Sequence, residues 1–149
     1  MDILLAGFVQ GTNICRLYHN DGNFSFSESG QSFPGFQSGS ATWGDYDNDG
    51  KLDLLLNGID GTNYMSKVFH NLGNSFQELP LSLPGILGGS SWIDYDNDGR
   101  LDILLRGDSD IYDPNGYITR LYRNLERLLR RLRYSIAIGN RYQPGHLGR

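Results

Sequence analysis

The sequence predicts an all-β fold built from repeats of about 50 residues. Three observations carry that expectation. An acidic run occurs twice, 49 residues apart. Short apolar or alternating segments are separated by Gly, Asn, Asp and Pro. The chain of 149 residues holds 20 glycines and 12% aromatics, a mixture suited to strands joined by tight turns, because glycine tolerates positive φ.

The repeat comes first. The run Trp43-Gly44-Asp45-Tyr46-Asp47-Asn48-Asp49-Gly50-Lys51-Leu52-Asp53-Leu54-Leu55-Leu56-Asn57-Gly58 returns as Trp92-Ile93-Asp94-Tyr95-Asp96-Asn97-Asp98-Gly99-Arg100-Leu101-Asp102-Ile103-Leu104-Leu105-Arg106-Gly107. A truncated copy, Asp2-Ile3-Leu4-Leu5-Ala6-Gly7, opens the chain. Downstream, Ile14–Asn20 matches Met65–Asn71 and Ile118–Asn124, and Pro34-Gly35 matches Pro84-Gly85.

Within one period, Ala41–Gly44, Leu52–Leu56, Ser66–Asn71 and Ser75–Leu79 read as strands. Four short strands per repeat of this length is the pattern of a propeller blade, a four-stranded antiparallel sheet. The expected architecture is a partial β-propeller of about three blades over 1–124: partial over 1–40, complete over 41–89 and partial over 90–124. A closed ring of about 4 to 8 blades needs roughly 200 residues or more. The chain is therefore expected to be a fragment or an assembly unit, with exposed sheet edges prone to pairing.

Each acidic run has the form D-x-D-x-D-G-x-x-D. Asp45, Asp47 and Asp49, and their counterparts Asp94, Asp96 and Asp98, fall on one side of a tight loop. Gly50 and Gly99 allow the sharp turn. The backbone carbonyls of Lys51 and Arg100 can point inward, and Asp53 and Asp102 close the shell from the following strand. About six or seven oxygens suit Ca²⁺, so two calcium sites are predicted. Neither loop contains His or Cys, which makes zinc a poor candidate. Four carboxylates around one divalent ion leave a net charge near −2, so the loop should be loose when empty and ordered when filled. An EF-hand begins with the same residues but needs an acid at its twelfth position, between two helices. That position is Leu56 or Leu105, within a strand.

These runs resemble FG-GAP/VCBS repeats, the family that builds the integrin α-subunit propeller and many bacterial surface proteins. The resemblance covers roughly residues 2–124. It implies a blade hairpin that holds calcium through Asp45, Asp47, Asp49 and Asp53, and through Asp94, Asp96, Asp98 and Asp102. It also implies an extracellular or cell-surface setting. The first copy keeps only Asp2.

The function expected from this reading is a calcium-binding extracellular structural or adhesion module, without enzymatic activity. The alternatives are a carbohydrate-binding propeller or an accessory domain of a larger secreted enzyme. Its partner is expected to be a protein or glycan surface, with self-association or further repeats completing the propeller, and nucleic acid is not expected. The start of the chain has no basic region before its short apolar stretch, so it does not read as a signal peptide. That leaves a cytoplasmic chain or a non-native N-terminus as the expectations. No apolar run reaches the roughly 20 residues of a membrane-spanning helix.

Weaker signals remain. Arg106-Gly107-Asp108 spells an integrin-recognition tripeptide at an expected turn. Asp108, Asp110 and Asp113 could hold a secondary cation. Asn23-Phe24-Ser25 is a glycosylation sequon. Trp43, Trp92, Tyr46 and Tyr95 suit packing between blades, or stacking on sugars. Cys15 aligns with Ser66 and Thr119 and reads as a small packed residue. His19 and His70 align with Arg123, which argues against a catalytic histidine.

The end of the chain differs in charge. Residues 1–119 carry 16 acidic and 5 basic side chains, whereas 120–149 carry 8 basic and 1 acidic. Leu125, Leu128, Leu129 and Leu132 have helical spacing, so 125–149 is expected to be a short basic tail, helical or irregular. At about ten residues, such a helix is short for independent stability.

Overall fold

The computed structural model describes residues 2–110, 116–125 and 128–131. Asp113 and the tail beyond residue 131 lie outside them. Eleven strands form three antiparallel sheets, and no helix occurs among the described residues. The first sheet holds β1 (Ile3–Val9), β2 (Thr12–Gly22) and β3 (Ser25–Glu28). The second holds β4 (Gln37–Gly44), β5 (Asp53–Ile59), β6 (Tyr64–Asn71) and β7 (Phe76–Glu78). The third holds β8 (Leu87–Ile93), β9 (Asp102–Asp108), β10 (Tyr117–Leu125) and β11 (Leu128–Arg131). Within each sheet, strands that follow one another in sequence are paired. This is the all-β, partial-propeller architecture that the repeat predicts.

The tail differs from expectation. Residues 128–131 form a strand, not a helical turn, and Leu125 pairs with Leu128 and Tyr122 with Arg131. β10 would otherwise present unpaired N–H and C=O groups, and a strand satisfies them where a short isolated helix would satisfy none. β11 takes the place that β3 and β7 take in their sheets, so the third sheet extends past the boundary expected at 124.

The core shows why the second strand of each blade is so apolar. Leu54, Leu55 and Leu56 of β5 are all 0% exposed. Strand side chains alternate between faces, so Leu54 and Leu56 join Leu17, Phe33, Phe36 and Phe69 on the first-blade side. Leu55 joins Val68, Ile86, Ile103, Leu105 and Tyr122 on the third-blade side. The central sheet is buried on both faces, which removes the polar alternation of a half-exposed strand.

The Pro-Gly pairs lie in the crossings between blades, where the chain passes directly over a strand. A Cβ on Gly35 would lie 2.1 Å from the Asn13 carbonyl oxygen, and one on Gly85 1.9 Å from that of Tyr64. Gly44 makes room in a different way. A Cβ there would lie 2.5 Å from the Trp92 ring, so the blade preceding Trp92 needs glycine at this position. In the next copy Ile93 takes it and stays partly exposed.

Leu55→Ala should destabilise the chain by about 2–5 kcal/mol, since it empties a fully enclosed position, and urea denaturation would show this. Gly85→Ala should also lower the urea midpoint, because the methyl group meets backbone that cannot rotate away.

Candidate metal centres

Each acidic loop is shaped by its own backbone amides. Asp45 caps its loop: Oδ1 accepts from the Asp49 N–H at 3.0 Å and Oδ2 from the Gly50 N–H at 2.9 Å. Asp94 repeats both bonds with Asp98 and Gly99, at 3.0 and 2.9 Å. Asn48 and Asn97 sit at φ of 59° and 57°, in the left-handed region that Asn tolerates, and Gly50 and Gly99 follow at 84° and 82°. The two loops thus share one backbone path.

Asp53 and Asp102 are fully buried and tie the loop to the sheet. Asp53 Oδ2 accepts from the Tyr46 N–H at 2.8 Å and Oδ1 from the Asn71 N–H at 2.8 Å. Asp102 receives the Tyr95 and Asn124 N–H groups at 3.0 and 2.8 Å. Asp2 keeps half of the device, accepting from the Asn20 N–H at 3.1 Å. That bond holds its carboxyl below the ordinary carboxylate range, against a smaller upward push from burial.

Asp47 and Asp96 point into the loops and carry the strongest sign of a ligand. Oδ1 of each is buried and has no hydrogen-bond partner. A carboxylate oxygen taken out of water without a partner is costly, and a cation among the loop carboxylates would offset that cost at the same position of both loops. Ligand atoms of Asp45, Asp47 and Asp49 lie within 4.8 Å of one another, as do those of Asp94, Asp96 and Asp102. Two oxygens on opposite sides of Ca²⁺ are separated by about 5 Å, so these groups fit that ion.

The two loops are not identical in their predicted ligands. Asp53 groups with Asp47 and His70, whereas Asp102 groups with Asp94 and Asp96. Asp98 falls outside the triad of its loop, and its Oδ2 contacts the guanidiniums of Arg100 and Arg123. Burial pushes the Asp98 carboxyl up, but the Arg100 backbone N–H and the two guanidiniums pull it below the ordinary value. Arg123 also reaches Asp96 Oδ2. The Lys51 ammonium pairs with Asp49 and holds its carboxyl down in the same way, and the Lys51 N–H donates to Asp49 Oδ1 at 2.9 Å.

Sequence reasoning missed His70. It lies 17 residues beyond Asp53, and pairing of β5 with β6 brings it to the loop. Its Nδ1 lies 3.0 Å from Asp53 Oδ1 and 3.7 Å from Asp47 Oδ2. Its alignment with His19 and Arg123 was the available signal, since all three immediately precede the asparagine whose amide the position-9 aspartate accepts.

Other candidates resolve differently. Arg106-Gly107-Asp108 lies in the β9 ladder rather than at a turn tip, and Gly107 is buried with β8 backbone beside it. Asp108 accepts from the Tyr64 hydroxyl at 3.3 Å. Trp92 packs on Tyr46, with ring centres 6.0 Å apart. Cys15 lies in the core, where burial pushes its thiol up to about 11.

A cavity of about 850 Å³ lies between the first two blades. Its lining includes Asp2, His19, Trp43, Leu52 and Asn71. By repeat position these correspond to Asp53, His70, Trp92, Leu101 and Asn124. Tyr46 lies against that later set, bonded through its N–H to Asp53 and through its carbonyl to the Asn124 amide at 2.7 Å. The cavity thus carries, by repeat position, the residues that Tyr46 packs against in the next blade.

With fold and loops in place, one comparison agrees with the repeat reading. Residues 1–56 match the family model of the FG-GAP-like repeat. This segment, from the first blade through most of β5 with the first complete acidic loop, is thus an FG-GAP-like repeat. Searches of curated proteins and of solved structures return no match.

Asn124→Ala should destabilise the chain by about 1–3 kcal/mol, because the side-chain amide is buried and bonds two carbonyls, of Tyr46 and Leu101. Asn71→Ala should cost less, since the equivalent side chain lies at the cavity and is only partly buried. Paired urea titrations of the two variants would show the difference.

Proposed function

We propose that this chain is a calcium-binding, extracellular structural or adhesion module in which Ca²⁺ orders the two acidic loops. The observation that carries the reading is the pair of buried, unpartnered Oδ1 atoms on Asp47 and Asp96. The residues that would hold the ions are Asp45, Asp47, Asp49 and Asp53, and Asp94, Asp96, Asp98 and Asp102, with the Lys51 and Arg100 carbonyls. Bound calcium would supply positive charge at the centre of carboxylates that otherwise repel one another. An extracellular setting suits affinities on the order of 10⁻⁴ to 10⁻³ M, the range of calcium-binding modules outside cells. On this reading the module binds and does not catalyse.

The loops act as clasps. Their ions stiffen the hairpins that set one blade against the next, and recognition falls to another surface. Further repeats, in the same chain or in another copy, complete the propeller. The cavity lined by Asp2, Trp43 and Asn71 supports this, since it has the residues that seat a loop elsewhere in the molecule.

At about 10 mM calcium and a dissociation constant of about 1 mM, each site should add about 1.4 kcal/mol. Two sites should raise the melting temperature by several degrees, and EDTA should reverse the gain. Asp47→Ala combined with Asp96→Ala should abolish the shift. A shift that survives in the double variant would mean that other residues hold the ion.

A further inference from the structure

We propose that His70, Asp47 and Asp53 form a three-ligand site for a borderline divalent ion of the zinc class. The site goes beyond the calcium reading and does not depend on it, although the two share Asp47 and Asp53. The spacing is the first argument. His70 Nδ1 lies 3.0 Å from Asp53 Oδ1 and 3.7 Å from Asp47 Oδ2. A tetrahedral ion with ligands at 2.0–2.2 Å holds neighbouring ligand atoms about 3.3–3.6 Å apart, so the observed distances straddle the required one. The ion would lie between the imidazole and the two carboxylates.

Burial is the second argument. The Asp47 side chain is only 7% exposed, and its Oδ1 has no hydrogen-bond partner. A carboxylate so placed lacks the compensation that a neutral hydrogen-bond network supplies and that a metal ion would.

The ligands are also held in advance. The Tyr46 N–H fixes Asp53 Oδ2, and the Asn71 N–H fixes Oδ1 while leaving it a second lone pair. Backbone donors of this kind orient a ligating carboxylate and set its basicity. His70 stands on a strand paired on both sides, by β5 and β7, so ring placement follows from the sheet. Three protein ligands leave one position open to water.

The other blades show what makes this loop different. In the first blade His19 lies 3.1 Å from Asp2, but no loop carboxylate completes the pair among the described residues. In the third blade the equivalent residue is Arg123, whose guanidinium contacts Asp96 and Asp98. Arginine is permanently charged and cannot ligate a metal. A nitrogen donor beside two carboxylates favours a zinc-class ion over calcium, which prefers oxygen. The residue before Asn71 or Asn124 thus sets whether a nitrogen donor or a guanidinium faces the loop.

The test is a Co²⁺ and Zn²⁺ titration of the untagged 149-residue chain. One equivalent of Co²⁺ should give the visible absorption of a tetrahedral site, and Zn²⁺ should displace it. His70→Ala should weaken Zn²⁺ binding at least as much as the 10–100-fold that loss of an outer partner costs. His70→Asn, which keeps a polar side chain of similar reach, should behave alike and guards against a packing defect. Arg123→His should create a second Co²⁺ site in the third blade. Absence of a tetrahedral band, or zinc affinity unchanged in both His70 variants, would overturn the proposal. A cobalt band with no calcium-dependent melting shift would instead overturn the calcium reading and leave this one standing.

Discussion

In the second and third blades a buried aspartate at the start of β5 and β9 joins three backbone segments, and the blades are arranged around that joint. Asp53 and Asp102 each accept one N–H from the acidic loop before them and one from the end of the third strand. A carboxylate removed from water must find such partners, and hydrogen bonds to a charged group contribute about 1.5–3 kcal/mol each. The same acid therefore fixes where the loop ends, where the strand begins and how far the third strand runs. Asp2 repeats the contact with Asn20, which shows that the device belongs to the blade and not to the complete loop.

Packing follows from that joint. With strand register set by the aspartate, the next three residues of β5 project alternately into the two interblade cores. The Pro-Gly crossings then bring the chain over the neighbouring sheet at distances only glycine permits. The loops are left with carboxylates that the fold does not fully neutralise. Lys51 answers this in one loop, and Arg100 and Arg123 in the other, yet Asp47 and Asp96 each keep an unpartnered oxygen. The fold thus tolerates a polar defect at the centre of each loop, which is the condition for using it as a cation site.

Much of this was legible in the residues. The 49-residue recurrence marked the blades, and the Leu54–Leu56 run marked a strand buried on both sides. The D-x-D-x-D-G pattern located both loops, because such short-range turn chemistry depends on residues only a few positions apart. His70 was not legible as part of a site, since its approach to Asp47 and Asp53 arises from the pairing of β5 with β6. The strand at 128–131 was missed for a related reason. Leu125, Leu128 and Leu129 fit a helical period locally, and only the open edge of β10 makes a strand the better arrangement. Arg106-Gly107-Asp108 looked like a turn because Gly and Asp favour turns, whereas β9 has paired neighbours that keep it extended.

By itself the sequence determined the repeat, the all-β class and the two acidic loops, because each is a property of local spacing. Tertiary structure decided which oxygens stay unpartnered, which face of each leucine run meets which blade, and what stands opposite each loop. Those depend on residues 17 or more positions apart, such as His70 against Asp53 and Arg123 against Asp98. Burial and charge pairing are set by what the chain brings together in space, so two nearly identical loops acquire different surroundings.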